Sequence, residues 1–404
     1  MRVLRTGPVG AAAAAFLGLA ALAACAAPAP RRLPAAGTAT AGRPAVRGSS
    51  YSLPLSVWSG SGAPRGGTEP PRSTRPFSLV GAVWDDARTP LNATVRVRTR
   101  DRAAGQWSPW QTLRPEDHGK PGPTAGQARG YTAPLWVGPS DGVQVSVAAP
   151  ADSLLPSGLH LALVDPGSPA EQPAQGVKVP SWLLPRASVS PTGHPYVVPR
   201  PALVTRAGWK ADESLRHTKP AYAGTVKMVF IHHTDNPNGY SCSQVPEMIR
   251  AMYQYHVSEL AWDDIGYNFL VDRCGTIYEG RAGGVDRPVV GGHTMGFNIG
   301  SMGIAAIGDF SAGATVPKPM VDAIARLAAW KLSLAGVSPA GRAAMVSQDS
   351  ATRYRKGTTV LLNAISGHRD AVYTECPGDA LYAALPGIRA AAARLLRAGA
   401  AGRP

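Results

Sequence analysis

The chain has 404 residues, 44% of them hydrophobic and 17% charged, with Gly 45 and Pro 38. That is enough apolar material for two domains with their own cores, and the Gly and Pro content predicts linkers and many turns, which excludes a wholly disordered or fibrous chain. The formal net charge of +15 favours an anionic partner, but no run of Lys or Arg and no nucleic-acid-binding motif accompanies it, so nucleic acid is not an expected partner.

Arg2 and Arg5 precede an apolar, Ala-rich run from Gly10 to Ala24. The run is too short to span a bilayer and has the form of a signal peptide over residues 1–25. It ends Leu22-Ala23-Ala24-Cys25, which resembles a bacterial lipobox, where the signal is cut before the cysteine and the thiol is lipidated. Membrane attachment through a lipidated Cys25 and ordinary secretion both remain open, and both place the protein outside the cytoplasm. Residues 26–73 are rich in Ala, Pro, Gly, Arg and Ser and are expected to form a disordered tether.

Residues 74–166 change to short strands: Phe77–Trp84, Ala93–Arg100, Trp107–Leu113, Pro134–Val137, Val143–Val147 and Leu159–Val164. In the second, Val95, Val97 and Thr99 alternate with Arg96, Arg98 and Arg100, giving one apolar and one basic face. Gly, Pro and Asp between the strands predict a small antiparallel, β-sandwich-like accessory domain. Trp84, Trp107, Trp110 and Trp136 could pack a core or stack on sugars. Prolines from Pro169 to Pro201 predict a linker over 167–201.

From 202 to 404 the pattern is mixed α/β. Val226–Ile231 is an apolar strand that runs into His232 and His233. A helix is expected over Ser243–Ser258, with Ser243 as N-cap and Val245, Met248, Ile249, Met252 and His256 on one face. Tyr267–Asp272 and Thr276–Glu279 read as a hairpin, Met302–Ile307 as a buried strand, and Met320–Leu334 as a helix. Pro386-Gly387 should divide two last helices, Asp379–Leu385 and Ile388–Arg397. Cys242 and Cys274 could form a disulfide in an export compartment, or stay as two buried thiols.

His232, His368 and Cys376 are a candidate zinc set, because a catalytic zinc takes three protein ligands of imidazole or thiolate type and keeps a fourth position open. His368 and Cys376 lie eight apart in a loop bounded by Gly and Pro, and His232 ends a rigid strand. Asp370 could orient a ligand histidine or pair with Arg369.

Six segments carry a resemblance: Arg206-Ala-Gly-Trp209, Ile231-His-His-Thr234, Trp262-Asp-Asp-Ile-Gly-Tyr-Asn-Phe-Leu270, Tyr278-Glu-Gly-Arg281, Gly292-His-Thr294 with Asn298, and Gly367-His-Arg-Asp370 with Thr374-Glu-Cys-Pro-Gly378. In order and spacing they resemble the peptidoglycan recognition protein family, the zinc amidases also called N-acetylmuramoyl-L-alanine amidase type 2. The resemblance implies a mixed central sheet flanked by helices. It implies Zn2+ held by His232, His368 and Cys376, and hydrolysis of the bond between N-acetylmuramic acid and L-alanine in peptidoglycan by a monomer. Tyr267 matches a tyrosine that assists at the reacting carbonyl, and Thr374 falls where relatives carry lysine or threonine. Inactive members often lack the cysteine ligand, so Cys376 favours an enzyme over a non-catalytic peptidoglycan-binding module. His233, Arg281, His293 and Asn298 are candidates to line the substrate groove. Ala282-Gly-Gly284 replaces the Gly-Trp pair of members that prefer diaminopimelate, so the preferred peptide stays open.

Overall fold

A computed structural model of the protein describes residues 46–55, 66–115, 128–150, 153–168 and 198–401. The expected signal peptide, Cys25 and residues 169–197 of the Pro-rich linker lie outside the described residues.

In the accessory region every strand pairing is antiparallel. The strands are β1 (Ser49–Pro54), β2 (Gly66–Thr68), β3 (Arg72–Trp84), β4 (Thr94–Asp101), β5 (Gln111–Leu113), β6 (Gly130–Tyr131), β7 (Leu135–Ala148) and β8 (His160–Asp165). They join one eight-stranded sheet in the order β1-β8-β3-β7-β4-β5, with β2 beside β7 and β6 beside β3. Strands β1 and β2 correct the tether expected over 26–73. Tyr51 and Leu53 pack against the accessory core while their main chain pairs with β8, so the chain is ordered well before residue 74. The two strands expected at 134–137 and 143–147 are one strand, β7, which passes through Gly138 at φ +73°.

All eight residues from Phe77 to Trp84 are buried, more than a sheet with one wet face would allow. Val80, Ala82 and Trp84 face the accessory core with Val95, Val97 and Leu161, whereas Leu79 and Val83 turn into a second core shared with the C-terminal region. Of the four tryptophans, Trp84 and Trp136 are core residues. Trp107 and Trp110 are half-buried and interleave with Arg96, Arg98 and Arg100, whose guanidinium carbons lie 5.3–5.9 Å from the ring centres. Packing and cation–π contact account for all four.

The C-terminal region contains β9 (Met228–His233), α1 (Val245–Gln254), β10 (Phe269–Val271), β11 (Ile277–Glu279), β12 (Ser301–Ala306), α2 (Lys318–Ser333), β13 (Arg342–Val346), β14 (Thr359–Asn363), β15 (Ile365–Gly367) and α3 (Asp379–Ala401). A five-stranded mixed sheet runs β11-β10-β12-β9-β15. Only β10–β11 is antiparallel, and β13 and β14 form a separate hairpin. Helices α2 and α3 cover one face through Val229, Ile231, Met302 and Ile304. The other face meets α1 through Leu270 and Ala305, and the hairpin through Met228 and Phe230.

Three helix expectations need correction. A turn at Cys242–Gln244 precedes α1, and its cap is Ser241 in a reciprocal pair with Gln244, not Ser243. Helix α1 was expected to be amphipathic, yet every residue from Met248 to Val257 is buried. The accessory sheet covers its polar side, and the Arg250 guanidinium donates to the carbonyls of Pro166, Gly167 and Trp209. Beyond Gln254 the helix widens into a π-turn, Tyr255–Glu259. Helix α3 is continuous through Pro386, because Leu381, Leu385, Ile388 and Ala392 form one unbroken stripe against the α2 core. The described residues belong to a single compact unit, 43–404.

Candidate metal centre

Alternation along β9 sets the site. Met228 and Phe230 point toward the hairpin, so His232 shares their face, while His233 falls on the side of Val229 and Ile231. Strand β15 lies parallel to β9, which brings both carboxyl ends to the same edge of the sheet. His368 follows β15 directly, and Cys376 lies in the loop that leads into α3.

The ligand atoms of His232, His368 and Cys376 all lie within 4.8 Å of one another, and all three residues are buried. Cys376 Sγ is 3.8 Å from His232 Nδ1. Tetrahedral zinc with Zn–S of about 2.3 Å and Zn–N of about 2.0 Å places such atoms about 3.5 Å apart, so the spacing fits the ion. Burial pushes the Cys376 thiol well above its ordinary pKa, so alone it stays protonated. A dication reverses that preference, and two imidazoles with one thiolate leave it a net charge near +1.

With Nδ1 aimed at the sulfur, the other nitrogen of His232 meets a second pair. Nε2 lies 3.2 Å from His293 Nδ1 and 3.4 Å from Thr294 Oγ1. His293, expected to line the groove, is 1% exposed, packs behind His232 and is not among the residues lining the cavity beside Cys376. Gly303 on β12 makes room for it, since a Cβ there would come within 2.4 Å of the His293 ring. Asn298 is also turned inward, its Oδ1 accepting from the backbone amides of His293 and Thr294 at 2.9 Å.

Tyr267 packs beside His232, with ring centres 5.4 Å apart, and burial raises its hydroxyl pKa. The Thr374 hydroxyl accepts from the Cys376 amide at 3.2 Å. A cavity of about 400 Å³ opens beside Cys376, Thr374 and His233 and reaches the surface at Tyr373 and Glu375. Burial holds His233 neutral, with its pKa pulled down to about 4. Arg281 lies outside this cavity, donating to the Ile265 carbonyl at 3.3 Å. His256 stacks on Trp262 in the core. Asp370 takes neither expected role: it accepts from the Gly367 amide and the Tyr382 hydroxyl, while Arg369 pairs with Asp379.

Cys242 and Cys274 are joined as a disulfide, tying the turn before α1 to the β10–β11 turn. Among the cavity residues, Arg114, Asp235 and Ser311 had drawn no notice in the sequence. Arg114 comes from the accessory region and pairs with Asp235 at 3.1 Å and Asp309 at 3.4 Å.

Two families match the chain. Residues 34–177 match the profile described as Rv3811 N-terminal galactose-binding domain-like, and residues 222–379 match N-acetylmuramoyl-L-alanine amidase. Peptidoglycan-recognition protein LB of Drosophila melanogaster is 32% identical over 184 residues, 45% of this chain and 66% of that protein. The N-acetylmuramoyl-L-alanine amidase of Homo sapiens is 30% identical over 191 residues, 45% of this chain and 27% of that protein. The chain thus spans less than two-thirds of the length of these relatives. A solved structure of wild-type Drosophila PGRP-LB is 30% identical with a TM-score of 0.35, covering 45% of this chain and 91% of that one.

Proposed function

The chain belongs to the family of peptidoglycan recognition proteins and N-acetylmuramoyl-L-alanine amidases, and from that premise we propose that it is a zinc-dependent amidase that cuts between N-acetylmuramic acid and L-alanine. The observation that carries the reading is the convergence of His232, His368 and Cys376 beside an open cavity.

Zinc, when bound, supplies Lewis acidity toward the scissile carbonyl and toward a water. The chain's own residues do the rest. His232, His368 and Cys376 would hold the ion. His293 and Thr294 fix the ring of His232, as outer partners of ligand histidines do. The Tyr267 hydroxyl, kept protonated by burial, is the donor for the negative charge that develops on the carbonyl oxygen. Thr374 holds the Cys376 loop through its hydrogen bond to the amide. The protein acts outside the cytoplasm on cell-wall peptidoglycan, a setting that the Cys242–Cys274 disulfide favours.

The test is mass spectrometry of muropeptides incubated with the full chain. The expected outcome is free peptide beginning with alanine, abolished by a chelator and by Cys376→Ser together with loss of bound zinc. Tyr267→Phe should keep the zinc and lose about 10²–10³ in kcat. Muropeptides bound but never cut by zinc-loaded protein would replace the amidase with a recognition module.

A further inference from the structure

The accessory region does more than lean on the C-terminal region; it reaches the catalytic cavity. Arg114 follows β5, and Pro115 beside it bridges to Thr132 of the same region. Both line the cavity that also holds Cys376 and Thr374. Only Nη1 of Arg114 is engaged by Asp235 and Asp309 among the described residues, and the side chain is 57% exposed. A guanidinium held at one nitrogen by two carboxylates, on a side chain more than half exposed, keeps its other nitrogens for a third carboxylate in a two-point contact. Asp235 and Asp309 are 11% and 30% exposed and hold their end of each pair in place, while the exposed Arg114 side chain is not locked away.

We propose that Arg114 is a specificity residue of the amidase cavity, supplied by the accessory region, which binds a free carboxylate on the peptide of the substrate. The proposal rests on the amidase reading for the identity of that substrate. Peptidoglycan peptides carry such carboxylates, and a cavity of about 400 Å³ has room for part of one beside Cys376. Glu375 lines the same cavity and opposes an anion there, as does Asp235 to the extent that Arg114 does not answer it. Arg114 and Glu375 therefore act with opposite signs on one ligand group.

The experiment uses the full chain and two muropeptides identical except that the peptide carboxyl groups are free in one and amidated in the other. For Arg114→Gln, KM for the free acid should rise about tenfold with kcat nearly unchanged, and the amidated substrate should be unaffected. Arg114→Lys keeps the charge but not the fork and should recover only part of the loss. Glu375→Gln should lower KM for the free acid alone. Equal changes on both substrates would make Arg114 merely structural, and no change on either would remove it from the cavity's function; both overturn the proposal. Thermal melts report folding, and if Arg114→Gln does not fold, Arg114→Lys and Glu375→Gln decide. If the wild-type protein releases no peptide, the amidase reading fails by itself. Calorimetric Kd values for the same two muropeptides then apply the same criterion to Arg114.

Discussion

Burial drives Cys376 and Lys331 toward their uncharged forms, with different consequences. Cys376 stands with His232 and His368 in a group that could hold a cation, and a bound cation would restore the thiolate. Lys331 on α2 is 3% exposed and donates to the carbonyls of Val285 and Arg287 at 2.7 and 3.1 Å, while the attraction of Asp286 is too weak to offset its burial. Burial pulls its pKa from the ordinary 10.5 down to about 8. Below about pH 8 the lysine is charged in both folded and unfolded chains, and its desolvation penalty is complete. Between about 8 and 10.5 the unfolded chain still binds the proton that the folded chain has lost, so this lysine's contribution to stability rises with pH, by up to about 3 kcal/mol. The buried Cys376 thiol and buried tyrosines act in the opposite sense in both proteins, so thermal melts across that window should show the wild type gaining on Lys331→Met as pH rises. The residues that could be read from the sequence are those whose type declares their chemistry: His232, His368, Cys376. Arg114 could not be read, because its partner Asp235 is 121 positions away and nothing local marks either residue.

At the scale of elements, periodicity located β9, α1 and β12 but misjudged how many sides of α1 are covered. Helix α1 and the π-turn after it carry Arg250, Gln254 and Glu259 on what reads as a wet face, and only the arrival of β3 and β8 makes that face internal. Strand β3 meets the π-turn where Gly81 faces Tyr255. A Cβ on Gly81 would fall 2.4 Å from the Tyr255 hydroxyl oxygen and 2.7 Å from its ring. Tyr255 cannot easily retreat, since its hydroxyl donates to the Thr132 carbonyl at 3.1 Å. Gly81→Ala should therefore cost about 1–3 kcal/mol in a denaturant melt, and a second change, Tyr255→Leu, should return part of it. Helix α3 shows the converse error: a proline read as a boundary is overridden by an apolar stripe that continues on both sides of it.

For the molecule as a whole, the pattern of strands and helices announced a β-rich region and an α/β region, and the Pro-rich stretch between them suggested two separable bodies. The shared core corrects that picture: Leu79, Val83, Trp136, Ala162 and Val164 pack with Met248, Met252, Tyr255 and Trp262. Each run looked like the inside of its own domain, so nothing in either announced a partner. Hydrogen bonds cross the same boundary, including Trp136 N to Asn236 Oδ1 at 2.6 Å, and Asn236 in turn donates to the Thr234 carbonyl just beyond His232. A fragment of residues 198–404 would bare the buried flank of α1. It should bind a hydrophobic dye and melt lower than a 43–404 fragment, and equal melting would show the boundary to be inert.

The two regions are held by packed side chains and by hydrogen bonds such as that from the Arg129 guanidinium to the Glu259 carbonyl, independently of the peptide link between Ser168 and Val198. A single proteolytic cut between those residues would therefore leave one particle made of two chains. The same halves, made separately, could find each other and rebuild the cavity, with Arg114 arriving from one polypeptide and Cys376 from the other.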